Sequence, residues 1–218
     1  VLIPKTVNVT LEITYINATG NNVPLENGLV TFEAVTGETF ANYTDENGQI
    51  IFAEMVPKTY EISMDTTLND GDDQFKLNSQ NIYVKAGRDQ QTFKRQADWE
   101  IRVSGTIFYD RNFDGIADSN EILSDSKVDI WNVDGTEIKG TAVADSEGKY
   151  EIYLDAGVYK TWFYTTSGTS YVSISPLELE SAQELSPSLV RGIDYTVTYQ
   201  DSDNNENINF GNVEISGD

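Results

Sequence analysis

Five oxygen-bearing side chains recur at fixed spacing within one stretch of twelve residues. The stretch reads Asp-Arg-Asn-Phe-Asp-Gly-Ile-Ala-Asp-Ser-Asn-Glu and runs from Asp110 to Glu121. The side-chain oxygens stand at positions 1, 3, 5, 9 and 12, and Gly115 stands at position 6, where the loop must turn sharply. A hard cation of the size of Ca²⁺ takes six to eight oxygen ligands at about 2.3–2.6 Å. The spacing therefore predicts a calcium loop.

The ligands of the predicted site divide into three kinds. The side chains at positions 1, 3 and 5 would each supply one oxygen, and the position-9 carboxylate would bind directly or through water. The position-7 residue would supply its main-chain carbonyl, and the position-12 carboxylate would close the shell with both oxygens. The predicted ligands are Asp110, Asn112, Asp114, Ile116, Asp118 and Glu121. The alternative, a solvated acidic turn, is less favoured because the ligand positions and the glycine all agree with the motif.

Charge excludes several kinds of partner. The 218 residues include 36 acidic and 14 basic ones, which gives a net charge of −22. We expect the chain to bind neither nucleic acid nor an anionic membrane, because both need clustered Lys and Arg. No apolar run approaches the roughly 18–20 residues that span a bilayer, so membrane insertion is not expected. Divalent cations or high salt would relieve the self-repulsion, which favours a setting outside the cell or a salt-loving organism.

The chain contains neither His nor Cys. This removes the usual general base, the Ser–His nucleophile pair, thiol catalysis and most transition-metal sites. The remaining catalytic route would be a carboxylate pair of the glycosidase type. The acidic residues lie in predicted turns, where nothing raises the pKa of a carboxyl group for acid catalysis. We therefore predict that the protein is not an enzyme.

The periodicity of apolar residues predicts an all-β protein. Val7–Tyr15 alternates apolar and polar side chains, as a half-buried strand does. Further short strands are separated by turns rich in Gly, Asn and Asp, a pattern typical of a β-sandwich. The one helix candidate is residues 175–185, which begin with Ser-Pro. We expect a short helix or an ordered loop there.

The strand pattern occurs twice. Residues 30–37 read Val-x-Phe-x-x-Val-x-Gly, and residues 128–135 read Val-x-Ile-x-x-Val-x-Gly. The turn motif Asp-x-x-Gly at residues 45–48 recurs at residues 145–148, so the offset stays near 98–100 residues. Self-similarity at a fixed offset indicates an internal duplication.

The duplication predicts two β-sandwich domains, at residues 1–97 and 98–218. Only the second carries the acidic loop, because the corresponding stretch of the first, Tyr15–Asn22, contains no carboxylate. We therefore expect the first domain to be independent of calcium at that place.

The repeated motifs resemble the prealbumin-like modules of surface proteins, of the collagen-adhesin B and carboxypeptidase-regulatory types. The second copy resembles more closely the calcium-binding B repeats of serine-aspartate-repeat adhesins. Its matching segments are Gly-Thr-Ile-Phe-Tyr-Asp at residues 105–110, the acidic loop itself, and Ile-Asn-Phe-Gly at residues 208–211. The resemblance implies two tandem seven-stranded prealbumin-like β-sandwiches that act as rigid stalk modules at a cell surface.

The resemblance also implies further calcium ions, because such B repeats bind additional calcium through neighbouring loops. The residues that could serve this purpose are Asp201, Asp203 and Glu206 in the second domain, and Asp70, Asp72 and Asp73 in the first. A solvated acidic loop is the preferred interpretation of both groups, since neither has a fixed ligand spacing.

Three Asn-x-Thr sequons mark candidate sites of N-glycosylation. They are centred on Asn8, Asn17 and Asn42, all in the first domain. Coincidence in a chain rich in Asn and Thr is the alternative. Occupied sequons would favour a eukaryotic or archaeal surface glycoprotein.

The leading functional hypothesis is an extracellular adhesin-like module in which calcium stiffens one of two β-sandwiches. It would serve as a stalk, a spacer or a repeating subunit of a filament or surface layer, with neighbouring modules or identical subunits as partners. One variant is a homopolymer in which the N-terminal strand, Val7–Tyr15, pairs with the sheet edge of a neighbour. The preferred alternative is that this segment is the domain's own first strand.

A second functional class is a module that binds a carbohydrate or a protein ligand through exposed aromatic side chains. The aromatic residues that gather on adjacent predicted strands are Tyr150, Tyr153, Tyr159, Trp162 and Tyr164. In such a pattern most aromatic side chains belong to the core. A contiguous exposed strip on one sheet face would favour the binding module.

Overall fold

The computed structural model describes residues 5–167 and 170–191 together with two strands nearer the C-terminus. Every described element is a strand except a three-residue 3₁₀ turn at Asn69–Gly71. The predicted all-β fold class is therefore confirmed. Among the described residues, no helix is long and apolar enough to cross a membrane.

The strands are numbered in chain order. Those of the first half are β1 (Val7–Ile16), β2 (Asn22–Pro24), β3 (Leu29–Ala34), β4 (Thr39–Tyr43), β5 (Gln49–Met55), β6 (Thr59–Leu68), β7 (Asp73–Tyr83) and β8 (Gln90–Thr106). Those of the second half are β9 (Lys127–Asn132), β10 (Ile138–Val143), β11 (Lys149–Leu154), β12 (Gly157–Tyr164), β13 (Ser170–Leu179), β14 (Gln183–Glu184), β15 (Val190–Arg191), β16 (Tyr195–Gln200) and β17 (Asn207–Val213).

The chain divides into two compact units. Unit 1 extends to Val103 and also includes Tyr153–Val158 and Glu178–Gln183, and unit 2 contains the rest. Strand β8 therefore belongs to unit 1 up to Val103 and to unit 2 from Ser104 onward. The domain boundary after residue 97 stays a prediction.

Unit 1 is a sandwich of two layers. In one layer β1 pairs antiparallel with β2 and β5 and parallel with β8. In the other layer the strand order is β4-β3-β6-β7, all antiparallel. The layers enclose a continuous apolar core, in which the rings of Phe32 and Phe52 lie 4.2 Å apart. Burial of such side chains from both layers is the main favourable contribution to folding.

The predicted N-terminal strand is an internal strand of this core. Its alternate residues Val7, Val9, Leu11 and Ile13 are all 1% exposed or less. Because β5 lies on one side of β1 and β8 on the other, both edges of the strand are already paired. The predicted homopolymer through the N-terminal strand is therefore corrected: β1 has no free edge to offer a neighbour.

Unit 2 repeats the plan of unit 1. Its larger sheet has the order β10-β9-β12-β13-β15, which matches β4-β3-β6-β7 strand for strand before β15 is added. Strands β11 and β14 pair with β8 and form the facing layer. The rings of Tyr150 and Phe163 meet between the layers with centroids 5.6 Å apart.

The duplicated turn is built in the same way in both units. Asp45 Oδ1 accepts the backbone N–H groups two and four residues further on, at 2.9 and 2.7 Å. Asp145 Oδ1 does the same at 2.8 and 2.9 Å. Each turn ends in a glycine with positive φ, 70° at Gly48 and 72° at Gly148. The two halves of the chain thus share local hydrogen bonding as well as strand order.

The predicted helix or loop at residues 175–185 is wrong for the first part of the segment. Strand β13 continues through Leu179, and the short strand β14 follows after a bend. Leu177 and Leu179 are buried, so their period is that of a strand facing the core. Tertiary packing overrides the helix-start signal of Ser-Pro.

The close approach at Gly48 yields a test. Gly20 and Gly48 both have positive φ, but a Cβ at Gly20 would meet nothing within 4 Å, whereas a Cβ at Gly48 would fall on the carbonyl oxygen of Ile13. Alanine at either position incurs about 1–2 kcal/mol for the left-handed conformation. We expect Gly48→Ala to lower the free energy of unfolding of unit 1 by clearly more than Gly20→Ala does. Urea unfolding of both variants measures this, and equal losses would contradict the close approach.

Candidate metal centre

A backbone neck closes the predicted calcium loop. The N–H of Tyr109 donates to the carbonyl of Glu121 at 2.8 Å, and the N–H of Leu123 donates to the carbonyl of Ile107 at 3.1 Å. These bonds flank an antiparallel bridge between Phe108 and Ile122. Residues 110–121 therefore leave and rejoin the sheet at one point, as a loop that encircles an ion must.

The corresponding corner of unit 1, between β1 and β2, carries a different loop. Ile13 and Ile107 occupy equivalent places, because each donates its N–H to the carbonyl of the turn glycine of its unit at 2.8 Å. In unit 1 the loop that follows is organised by a neutral side chain. Asn17 Oδ1 accepts the N–H groups of Thr19 and Asn21, at 3.1 and 2.9 Å. In unit 1 an uncharged side chain of the loop accepts these backbone N–H groups, whereas in unit 2 carboxylates accept them.

The carboxylates of Asp110 and Asp114 shape the turn of the acidic loop. Asp110 accepts the N–H of Asp114 at 3.2 Å with one oxygen and the N–H of Gly115 at 2.9 Å with the other. Asp114 Oδ1 accepts the N–H of Ile116 at 2.8 Å. Two residues of the turn have positive φ, Phe113 at 62° and Gly115 at 75°. The loop is thus wound tightly around its own side-chain oxygens.

Asn112 brings further predicted ligands to a common point. Its Nδ2 donates to Asp114 Oδ2 at 3.0 Å and to Asp118 Oδ2 at 3.2 Å. The partly positive amide group therefore stands between two carboxylates, an arrangement that shows where a positive charge is favourable. The Ile116 carbonyl, also a predicted ligand, accepts the N–H of Asp118 at 3.0 Å.

Glu121 is the exceptional member of the set. Its side chain lies at the neck and is only 2% exposed. Oε1 accepts the N–H of Arg111 at 2.7 Å, but Oε2 is buried and has no hydrogen-bond partner among the described residues. Burying an ionised carboxylate without full pairing costs several kcal/mol, so such groups are normally paired or coordinate a metal. The residue predicted to give two oxygens to the ion thus has one oxygen that no described residue contacts by a hydrogen bond.

The six predicted residues fit a calcium ion by donor type, since every side-chain donor is an oxygen. The structure draws Asn112, Asp114 and Asp118 together and holds Glu121 at the neck. In the part of the chain that is described, no three acidic side chains converge closely enough to form a metal cluster by distance alone. The calcium site stays a prediction.

One supporting residue could not be found from the sequence. Ser188 Oγ accepts the N–H of Asp110 at 3.1 Å from 78 positions further along the chain. It fixes the point at which the loop begins, and the motif itself carries no signal for it.

The acidic group in unit 1 is engaged in other interactions. Arg102 forms an ion pair with Asp72, with 2.6 Å between nitrogen and oxygen. Trp99 Nε1 donates to Asp73 Oδ1 at 2.7 Å, and Asn69 donates to the other oxygen of Asp73. Two of the three carboxylates of this group are thus engaged by protein donors. The second candidate group, Asp201, Asp203 and Glu206, lies outside the described residues.

The predicted aromatic cluster does not form one exposed strip. Tyr150 and Tyr159 are buried, Tyr153 and Tyr164 are half-buried, and Trp162 is exposed. The Tyr150 hydroxyl donates to the Leu185 carbonyl at 2.7 Å, and burial, assisted by the charge of Glu184, raises the pKa of Tyr150 well above its ordinary value. Tyr150 is therefore a neutral core side chain.

The three sequon asparagines differ in accessibility. Asn8 and Asn42 are exposed, whereas Asn17 is half-buried and engaged in its own loop. Glycosylation at these positions stays a prediction.

The sequence comparisons identify relatives among staphylococcal surface-repeat proteins. The chain is 28% identical over 148 residues to serine-aspartate repeat-containing protein D of Staphylococcus aureus, a match that covers 62% of this chain and 11% of that protein. It is 36% identical over 107 residues to serine-aspartate repeat-containing protein F of Staphylococcus epidermidis, which covers 48% of this chain and 6% of that protein. The serine-aspartate repeat proteins are thus homologues, and the predicted resemblance is confirmed. The chain spans about a tenth of the length of these relatives or less. No family model matches the chain.

The structural comparisons align the chain with solved proteins of low sequence identity. The Bacillus anthracis TIE protein aligns with a TM-score of 0.39 and 11% identity, covering 86% of this chain and 34% of that one. A shaft pilin SpaA variant from Lactobacillus rhamnosus GG aligns with a TM-score of 0.36 and 11% identity, covering 84% of this chain and 98% of that one.

The buried carboxylate of Glu121 leads to a prediction about how a substitution changes the melting temperature of unit 2 with and without calcium. In Glu121→Gln the neck keeps its shape but loses a buried charge. In the absence of divalent cations we expect unit 2 to unfold at an equal or higher temperature than in the wild type, because an uncompensated buried charge is removed. When calcium is added, the wild type should gain stability and the variant should gain little or none.

Thermal unfolding with and without added calcium measures both effects. Glu147→Gln is the matched control, because Glu147 is an exposed glutamate of the same unit that lies outside the loop. A variant that still responds to calcium like the wild type would remove Glu121 from the site.

Proposed function

We propose that this chain is an extracellular structural or adhesive module of a cell-surface protein, and that it acts as a stalk, a spacer or a repeating subunit. The homology to serine-aspartate repeat proteins supports the setting. Two successive units built on one strand order support the role, because they agree with a protein made of repeated modules. The partners are neighbouring modules of the same kind or identical subunits.

The role is structural and not catalytic. The chain has no His and no Cys. Among the described loops, Asp110 accepts backbone N–H groups, Asp72 pairs with Arg102, and Asp73 accepts from Trp99. Nothing in this arrangement favours a reaction over a scaffold.

Calcium held by residues 110–121 stiffens unit 2. The observation that carries this proposal is the buried Oε2 of Glu121 at the neck of the loop, which has no hydrogen-bond partner among the residues that the structure describes. The ion would supply a double positive charge to a segment with four carboxylates and a single guanidinium, that of Arg111. Asp110 stands where the chain leaves the sheet and Glu121 where it returns, so ligation of both holds the two sides of the neck together.

Stiffening is the expected effect because the loop joins strands. A calcium loop between two helices can change their angle, whereas this one is anchored by an antiparallel bridge at its neck. Unit 1 has no part in the response, since Asn17 and its neighbours satisfy the equivalent loop without charge.

Chelation tests the proposal separately in each unit. Trp99 lies in unit 1, and the other two tryptophans, Trp131 and Trp162, lie in unit 2. The Trp99→Phe variant therefore reports unfolding of unit 2 by fluorescence, and a Trp131→Phe/Trp162→Phe variant reports unit 1. At about 10 mM calcium and a dissociation constant of roughly 0.1–1 mM, the stabilisation is about 1.4–2.7 kcal/mol. We expect a chelator to lower the melting temperature of unit 2 by about 5–15 °C and to leave that of unit 1 almost unchanged.

Two controls complete the design. Magnesium at the same concentration should stabilise less, because it demands a smaller octahedral shell and gives up its water reluctantly. Melting that is equal with and without chelator in both reporters would refute calcium stiffening, but not the surface-module role. Equal shifts in both units would show that the cation acts by screening the charge of the whole chain.

A further inference from the structure

The edge strand β4 is unusually open. It lies at the end of the order β4-β3-β6-β7, and its only strand partner among the described residues is β3. All five of its residues are exposed, including Phe40 and Tyr43. An edge strand presents unpaired N–H and C=O groups, which another polypeptide strand can satisfy.

The backbone groups that face outward can be assigned from the pairing. The Glu38 carbonyl accepts from Ala34, and the Thr44 N–H donates to Gly28, so the even-numbered residues of this segment face β3. Successive residues of an antiparallel strand bond to opposite sides. Thr39, Ala41 and Tyr43 therefore direct their N–H and C=O groups to the free edge. One of these groups has a local partner, because Asn42 Oδ1 accepts the Tyr43 N–H at 2.9 Å.

The sister edge in unit 2 is protected. Strand β10 occupies the place of β4, but it contains Lys139 and has a register irregularity between Ile138 and Gly140. A lysine and a bulge are both devices that discourage pairing between sheet edges. Strand β4 reads Thr-Phe-Ala-Asn-Tyr, without charge, proline or glycine, and its register with β3 is regular. The two edges arose by the same duplication, so the contrast lies in their sequences and not in the fold.

We propose that β4 is an interaction edge that pairs antiparallel with β4 of a second copy of this chain. The strand is self-complementary. With Ala41 at the two-fold axis, Ala41 faces its own symmetry mate, Thr39 faces Tyr43, and the three outward residues of each copy exchange N–H···O bonds. This pairing brings no charged side chain opposite another. Two copies can therefore meet at β4 with little local repulsion, although each chain carries a net charge of −22.

This inference extends the proposed role as a repeating subunit. It rests on that role only for the cell-surface setting. The pairing continues the four-stranded layer of unit 1 into that of its partner, which is the usual mode of strand addition at a sheet edge. Asn42 is also a predicted glycan acceptor, and a sugar there would stand at this edge and block the pairing.

Sedimentation velocity of the full, unglycosylated chain tests the proposal. Wild-type protein is measured from about 10 μM to 1 mM in excess calcium, at 0.15 and 0.5 M NaCl. We expect the weight-average mass to rise from the monomer value of 24.3 kDa towards twice that value. Higher salt should strengthen the association, because it screens repulsion between the two acidic chains.

Ala41→Lys should weaken the association at least about fivefold, because two like charges then face each other at the axis. The matched control is Thr141→Lys, since Thr141 pairs with Asp129 on β9 as Ala41 pairs with Thr31 on β3. It should associate like the wild type. Asn42→Ala releases the Tyr43 N–H and should tighten the association, which keeps the test informative even if Ala41→Lys unfolds.

Three results would overturn the proposal. The first is a wild type that stays monomeric at 1 mM in 0.5 M salt, and the second is an Ala41→Lys variant that is folded and associates normally. The third is Thr141→Lys weakening association as much as Ala41→Lys does, because the contact would then not be specific to β4. Chelation separates this inference from calcium stiffening: β4 lies in unit 1, so its association should persist without calcium.

Discussion

The burial of the Glu121 carboxylate is the constraint on which the acidic loop of unit 2 depends. The side chain is almost inaccessible, one oxygen is held by a backbone N–H, and the other has no partner in the described protein. With a neutral residue at position 121, the loop would be held only by ordinary Asx turns. With a carboxylate, the neck of the loop would be stabilised by a positive charge, which the proposed calcium ion would supply. The side-chain donors predicted at the mouth are all oxygens, a donor set that suits a hard cation.

The duplication shows that this constraint belongs to the sequence of unit 2 and not to the fold. Both units place the same backbone bonds around the corner, from the isoleucine to the turn glycine and back from the leucine that follows the loop. Unit 1 fills the corner with Asn17 and needs nothing further. Unit 2 fills it with a longer loop of carboxylates. The sandwich accommodates either loop because the isoleucine that anchors the corner is buried in both units, as Ile13 and as Ile107. A cation requirement could therefore arise, or be lost, without changing the architecture.

Local patterns predicted much of the structure. The alternation of Val7–Tyr15, the repeated Asp-x-x-Gly turn and the neutral loop of the first copy each depend on residues close in sequence, and the structure contains all three. The predictions that were wrong concern segments whose structure is decided by packing against residues distant in sequence. Residues 175–179 carry a helix-start signal but lie in β13, because Leu177 and Leu179 face the core. The N-terminal strand has no free edge, because β5 and β8 occupy both sides. No motif could have indicated Ser188 beside Asp110 or the lone oxygen of Glu121, since both follow from tertiary placement.

The two copies differ in charge at two places, the loop and the edge strand. Unit 1 has a neutral loop and an edge strand without charge, whereas unit 2 has a charged loop and an edge with Lys139 and a bulge. Sheets with the same strand order face the same risk at the same edge, so protection of only one of them needs a reason beyond solubility. In a chain with a charge of −22, aggregation is already opposed everywhere by repulsion. The neutral edge in unit 1 is then the place where the proposed self-association meets least repulsion, while the acidic loop of unit 2 is the place where the proposed calcium ion would bind. The contrast between the copies lies in these charges and not in their strand order.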